Sequence, residues 1–299
     1  MQFTKNLMNM VELVKDYKNN DALRSSFNRL ATETFGIDFE HWYKKGFWND
    51  RYICYSFVFE GQVIANASIN RMRLRWDGKY YNAIQIGTVM TAPKFRKQGL
   101  SYRLLDTIVK EWENEVDFIY LFGNDSALNL YKQFEMKEFK EHRFQAVLPA
   151  FKGINGIRKL DLQNEADLSL MVEMTKNRTA QSEAIGTEED SHLIMFYCHQ
   201  WFAEKLYYIE KKHSLLIMDE EDETLHLYDV ISEEVQEMQE ILELICVKNA
   251  ETVEFHFKPS KCKLQLEESI LSVEDQTLLI RHKGIEPTES FKFPTFSHA

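Results

Sequence analysis

A basic, glycine-centred turn is the first place where this chain could do chemistry. Arg96-Lys97-Gln98-Gly99-Leu100-Ser101 follows an apolar, β-branched run that begins at Ile84. Pro93 ends that run, because proline has no N–H to give a strand ladder. Beyond the turn, Leu100, Leu104, Leu105, Ile108 and Val109 recur at helical spacing. Strand, turn and helix start together make an anion site. The first turn of a helix has unpaired N–H groups and a partial positive charge. Gly99 lets a phosphate approach the backbone closely, and Arg96 and Lys97 add mobile positive charge. With one glycine, the turn is neither a G-x-G-x-x-G fingerprint nor a Walker A loop. An ordinary strand-to-helix connection is the competing reading of the turn taken alone.

The second stretch begins at Phe118-Ile119-Tyr120-Leu121-Phe122, which reads as a buried strand. Gly123 to Met136 follows as G-N-D-S-A-L-N-L-Y-K-Q-F-E-M. Asn124 stands at the end of the strand, and Tyr131 stands on the helix expected over Ser126–Phe134. A phenol, with an ordinary pKa near 10, is a group that can donate a proton. A packed helix residue is the plainer role for this tyrosine.

Thr91 to Ser101, T-A-P-K-F-R-K-Q-G-L-S, resembles motif A of the GNAT acyltransferase superfamily, V-x-P-x-x-R-x-x-G-x-G/A. Threonine and serine, both small, replace the usual first and last residues. The second stretch resembles that superfamily's N-x-x-A-x-x-L-Y-x-x-x-G-F, with Glu135-Met136 where Gly-Phe is usual. The two motifs come in the expected order and spacing. The resemblance implies acetyl-CoA as acyl-donor cosubstrate and direct N-acetyl transfer to a primary amine of a small-molecule or peptide acceptor. It implies that backbone N–H groups of Arg96, Lys97, Gln98, Gly99, Leu100, Ser101 and Tyr102 dock the pyrophosphate. Backbone groups of Val89, Met90 and Thr91 would pair with the pantetheine arm, one N–H polarising the acetyl carbonyl. Asn124 would hold the same arm, and Tyr131 would protonate the departing thiolate as general acid.

The general base stays open. Many relatives place a glutamate on the strand before motif A, but Gln85 and Thr88 occupy that stretch and neither takes a proton at neutral pH. Glu33, Asp38, Glu40 and His41 are the candidates, or water alone. A catalytically silent acyl-CoA-binding module that recruits a partner remains the alternative function. An aminoacyl or peptidyl transferase is a third, made unattractive by the charge distribution described below.

The elements that must position these residues follow from periodicity. Asp21 is a plausible cap for a helix with Leu23, Phe27, Leu30 and Phe35 on one face. An aromatic-dense segment from Phe35 to Trp48 comes next, and either lines an acceptor pocket or forms a satellite cluster under a loop. Tyr52–Phe59, Val63–Trp76 and Tyr80–Thr91 read as an antiparallel meander, joined by Glu60-Gly61-Gln62 and by Asp77-Gly78. Helix, strand, helix and a terminal strand pair around Lys137–Leu148 complete the order that the GNAT resemblance implies.

The chain has 299 residues, enough for two average domains, and its composition is globular. No apolar stretch approaches the roughly 20 residues that span a bilayer, so no membrane partner is expected. The first residues lack a signal-peptide core. Cys54, Cys198, Cys246 and Cys262 stand far apart, which fits reduced thiols and a cytoplasmic protein. The nine histidines show no metal spacing, and His192 and His199 are too far apart along a helix to share an ion. Residues 1–150 carry a net charge of +3 and residues 151–299 a net charge of −14. A basic half suits an anionic cofactor, and an acidic half argues against nucleic acid.

Pro149 to Gly156 reads as a linker, after which the order seems to begin again. Ile157–Leu162 suits a strand, Glu165–Lys176 and His192–Phe202 suit helices, and Leu206–Glu210, Ser214–Asp219 and Thr224–Ile231 suit a meander. A helix over Glu233–Val247, capped by Ser232, and a strand over Thr252–Phe257 follow. The expected fold class is therefore α/β (α+β), with two GNAT-like domains in tandem. Each holds a mixed, mainly antiparallel sheet flanked by helices: a catalytic domain over 1–150 and a degenerate copy over 151–299. The copy has no basic glycine turn after Ile231, only Ser232 and glutamates, so it should not bind coenzyme A. The arrangement resembles the first two domains of the enhanced-intracellular-survival type of acetyltransferase.

Overall fold

A computed structural model describes residues 10–149, 156–245, 247–273, 276–285 and 287–298. Most of the expected linker, and Cys246, lie outside these residues. Strand β1 (Glu12–Lys15) leads to helix α1 (Asp21–Phe35) and the short α2 (Glu40–Lys44). Asn20, one residue before the expected Asp21, caps α1 by accepting from the Leu23 N–H at 3.2 Å. Asp21 begins the helix and pairs instead with Arg24, 2.8 Å away.

The meander is β2 (Tyr52–Phe59), β3 (Gln62–Trp76) and β4 (Lys79–Thr91), in antiparallel register. Helix α3 (Leu100–Trp112) then crosses to β5 (Phe118–Gly123), which pairs parallel with β4. All five apolar residues predicted on α3 are buried against the sheet. The next helix is broken: only α4 (Leu128–Tyr131) is α-helical, between two 3-10 turns. Glu135 ends it in the left-handed region, at φ +59°, where the motif's glycine would stand. The turn is kept at a cost of about 1–2 kcal/mol.

The expected terminal strand pair does not form. β6 (Lys137–Phe139) belongs to the first sheet, but β7 (His142–Val147) belongs to the second. Between them stand Lys140 and Glu141. A two-residue hairpin favours residues that accept positive φ, such as Asn-Gly, and this pair offers neither. The crossing is pinned by the C-terminal segment instead: the His142 N–H donates to the Phe291 carbonyl, and the Phe293 N–H to the Glu141 carboxylate.

In the second half, β8 (Ile157–Lys159), α5 (Glu165–Lys176), β9 (Ile185–Glu188) and α6 (Ser191–Tyr197) precede a second meander. That meander is β10 (Leu206–Ile209), β11 (Ser214–Glu221) and β12 (Thr224–Ile231). The predicted helix over Glu233–Val247 shrinks to α7 (Met238–Leu242). The stretch from its cap Ser232 to Gln236 bonds another loop instead: the Ser232 carbonyl accepts from the Thr179 N–H, and the Gln236 N–H donates to Gln181. β13 (Thr252–Phe255), β14 (Glu267–Ile270) and β15 (Thr277–His282) follow.

The first sheet runs β1-β2-β3-β4-β5-β15-β6, and the second β14-β7-β13-β12-β11-β10-β8. The two orders match when β7 and β15 are exchanged. Each half therefore lends its late strand to the other, next to the strand (β5 or β13) that follows the crossover helix. β9 extends the exchange by pairing with β3. This reciprocity supports the internal duplication read from the sequence and makes the two halves one packed unit. Among the described residues, no helix is long and apolar enough to cross a membrane.

Candidate active site

A bulge in β4 shapes the site. Ser68 opposes Gly87 and Asn66 opposes Met90, so Thr88 and Val89 share one partner position. Thr88 sits at φ +51°, an outlier for a β-branched residue. Two contacts hold it there: Asn66 Nδ2 donates to its carbonyl at 2.9 Å, and Tyr52 Oη lies 3.0 Å from its Oγ1. With the Thr88 carbonyl taken by Asn66, it is the N–H groups of the bulge that can turn from the ladder toward a ligand.

β4 and β5 pair only over Ala83–Gln85 and Phe118–Tyr120, although both strands run on. Between their ends lies a cavity of about 220 Å³. Ile86, Gly87, Thr88 and Val89 line it from β4, and Phe122, Asn124 and Tyr131 from β5 and the helix after it. The outer wall is aromatic. Phe35, Phe39, Trp42 and Tyr52 come from the first half, and Phe196, Tyr197 and Trp201 from α6 and the π-helical turn that extends it. The aromatic-dense segment after α1 thus does line a pocket, while Trp48 lies buried behind it.

Tyr131 is buried, and desolvation pushes its phenol up to about 12. Its ring packs on Gly123, where an added Cβ would lie 2.9 Å from Tyr131 Cε2. Gly123→Ala is expected to displace that ring. Because a misplacement near 1 Å can cost about 10²-fold in rate, turnover should fall by roughly that factor with CoA affinity kept. A fall in steady-state kcat of less than threefold would show that Tyr131 need not lie where Gly123 lets it.

Asn124 lines the cavity, but its Oδ1 caps the following turn, accepting from the Ala127 N–H at 3.1 Å and Ser126 Oγ at 2.9 Å. Only its amide N–H groups face other uses. Val89 reaches the cavity, whereas Met90 turns away into the aromatic core. Thr91 ends β4, and its Oγ1 lies 2.9 Å from Ser101 Oγ, tying the strand to the first turn of α3. Arg96 Nε donates to the Thr91 carbonyl at 3.0 Å. Lys97 at φ +60° and Gly99 at φ +78° flank Gln98, whose amide reaches Lys94 O at 3.4 Å. The first helical bond of α3 is Arg103 N–H to Gly99 O, so the N–H groups of Leu100, Ser101 and Tyr102 precede it. The Leu100 side chain is core, and the exposed Tyr102 ring packs 5.1 Å from Phe134. The Arg96–Ser101 turn lies beyond the end of β4, outside the cavity lining.

None of the four candidate bases lines the cavity. Glu33, Asp38 and Glu40 border a separate shallow groove. Glu40 is paired with Arg24 at 2.9 Å, which holds its carboxyl below the usual range. His41 packs against His199, 5.3 Å between ring centres. In place of the relatives' glutamate, Gln85 enters a buried neutral chain. Asn70 Nδ2 donates to Gln85 Oε1 at 2.9 Å, and His192 Nε2 donates to Asn70 Oδ1 at 3.1 Å. Burial pushes His192 down to about 3, so it is neutral and structural.

Sequence reasoning missed Leu193, Phe196, Tyr197 and Trp201, which bring the second half into this site. The available signal was composition: F-Y-C-H-Q-W-F over 196–202 matches the aromatic density of 35–48. It also missed a His226–Glu254–His256 group on β12, on β13 and just past the end of β13, with imidazole nitrogens 3.1 Å apart. Arg143 and Lys292 stand beside that group and oppose a cation there.

The Acetyltransferase (GNAT) domain family matches residues 18–138. The fold is similar to a GCN5-related N-acetyltransferase from Kribbella flavida, at 16% identity and TM-score 0.57, over 91% of this chain and 72% of that one. It is similar to Eis1 from Mycobacterium abscessus, at 11% identity and TM-score 0.56, with the same coverage. A putative acetyltransferase from Pyrococcus horikoshii aligns over 97% of this chain and 96% of its own, at 10% identity and TM-score 0.51. At these identities the likeness is one of fold. No curated protein matches the chain.

Proposed function

We propose that this chain, a GNAT-superfamily acyl-CoA-dependent acetyltransferase, moves an acetyl group from acetyl-CoA directly to a primary amine of a small-molecule or peptide acceptor. The observation that carries this reading is the pairing of Tyr131 with the bulged Thr88–Val89 backbone across one cavity. The thioester supplies the activated acyl group. The amine nitrogen attacks its carbonyl carbon, the C–S bond breaks, and the sulfur takes the Tyr131 proton, while the amine loses a proton to water and the Tyr131 phenolate regains one from it. Bulge N–H groups would stabilise the developing oxyanion, and the aromatic wall would exclude bulk water. Release of thiol from acetyl-CoA with a panel of amines tests this. Binding without release would favour a silent acyl-CoA module.

Residues 1–150 would hold the catalytic domain and 151–299 a copy without a CoA site. Supporting this, Ser232 to Gln236 is bonded to the 179–181 loop, where a phosphate turn would need free N–H groups. Gly99 has open space around it and a left-handed φ. A glutamate there would strain the turn and set a negative charge in the phosphate's place. At about 100 Kd, acetyl-CoA should stabilise the wild type by about 2.7 kcal/mol, and Gly99→Glu should lose that shift. Calorimetry should give one CoA per chain. Full stabilisation of the variant, or two sites, would sink the assignment.

A further inference from the structure

We infer that the acceptor is an aromatic or similarly apolar primary amine, whose ring enters the cavity between the two halves. This rests on the proposed acetyl transfer and deepens it. The wall opposite Tyr131 is built to receive a flat apolar group. Phe39 lies stacked between Phe196, at 5.0 Å and 9° between planes, and Tyr52, at 5.9 Å and 15°. At the cavity, Trp201 and Phe35 remain 50% and 46% exposed, an apolar rim that the described residues leave half open. Exposed rings gathered at a concave site mark a binding surface more than chance scatter does.

Charge points the same way. Among the described residues lining the cavity there is no carboxylate, imidazole or ammonium. The titratable groups that face it are the phenols of Tyr52, Tyr131 and Tyr197, all pushed upward by burial and so held neutral. A polycation would shed its hydration there with no counter-charge to replace it. A single amine on an apolar body loses only one hydrated charge, and apolar surroundings favour its neutral, nucleophilic form. That form needs no enzymic base, consistent with Glu33, Asp38, Glu40 and His41 lying elsewhere.

Thiol release from acetyl-CoA would be compared for 2-phenylethylamine, tryptamine, spermidine and a lysine-containing peptide. Expected are kcat/KM values at least tenfold higher for the two aromatic amines. Trp201→Ala, at an exposed rim position, should lower kcat/KM for tryptamine roughly tenfold or more while leaving the acetyl-CoA thermal shift intact. Trp201→Glu should swing the ratio toward spermidine. Faster turnover of spermidine or the peptide by wild type would overturn the aromatic class and leave acetyl transfer standing. Failure of every amine to release thiol would sink the transfer reading instead. Calorimetric binding of 2-phenylethylamine to the CoA-loaded protein then still decides the pocket's class, and its absence would overturn it.

Discussion

Tyr131→Phe should lower turnover by about 10²–10⁴-fold, the usual size of general acid catalysis. In barrier terms that is about 2.7–5.4 kcal/mol. Stability should hardly change, because no described residue hydrogen-bonds the phenol and its raised pKa has burial as its one cause. CoA affinity should also hold, since the Arg96–Ser101 turn lies outside the cavity that Tyr131 lines. The pH profile carries a second signature. An acid with pKa about 12 stays protonated as pH rises through 10, so this group should cause no alkaline loss of kcat below about pH 11. Phe variant turnover within a few-fold of wild type would reduce Tyr131 to a packing residue. Equal losses of CoA affinity and turnover would make it a positioning residue for the cofactor.

Arg178→Met should destabilise the protein by about 3–5 kcal/mol at neutral pH, the usual cost of leaving a buried charge uncompensated. Arg178 is 2% exposed at its side chain, 2.6 Å from Asp229 and 3.9 Å from Asp190. Those carboxylates are equally buried, so neither can turn to water in the variant. Asp190 also starts α6, its carbonyl accepting from the Leu193 and Ile194 N–H groups. The loss should therefore reach the aromatic wall of the cavity, which takes Leu193, Phe196 and Tyr197 from that helix. The sign with pH is fixed. Burial raises the Asp229 pKa even in the wild type, and removing the guanidinium raises it further. A carboxyl raised in the folded state is stable while protonated and loses that stability as pH climbs through its folded pKa. The deficit should accordingly be largest near pH 7.5 and shrink toward pH 4–5. Urea unfolding at both pH values checks this, with Asp229→Asn expected to restore part of the loss. A deficit under 1 kcal/mol, or one constant with pH, would show that the cluster is not a buried ion group.

Much of this protein was decided locally and so was legible in the chain. Tyr52–Phe59, Thr224–Ile231 and Glu165–Lys176 fold over the residues that their periodicity marks. Gly99 permits a left-handed turn at no steric cost wherever the chain goes afterwards, and Asp77-Gly78 closes its hairpin for the same reason. The motif residues Val89, Asn124 and Tyr131 meet because a short strand–helix–strand crossover leaves little freedom.

What tertiary structure alone decided is what covers each buried face. A six-residue strand such as β7 or β15 offers the same ladder of N–H and C=O groups to either sheet, and its pattern says only which side is apolar. The exchange of the two strands was settled by Lys140-Glu141 failing as a hairpin and by the Phe291–Phe293 segment bonding across the gap. The shortened helix after Ser232 was settled by a loop fifty residues away in sequence that takes its backbone bonds. The aromatic wall of the cavity is the clearest case. Phe39 and Phe196 become stacked partners only once α6 packs over the first meander. Periodicity reports that a residue is buried, but the partner that buries it is a property of the folded whole.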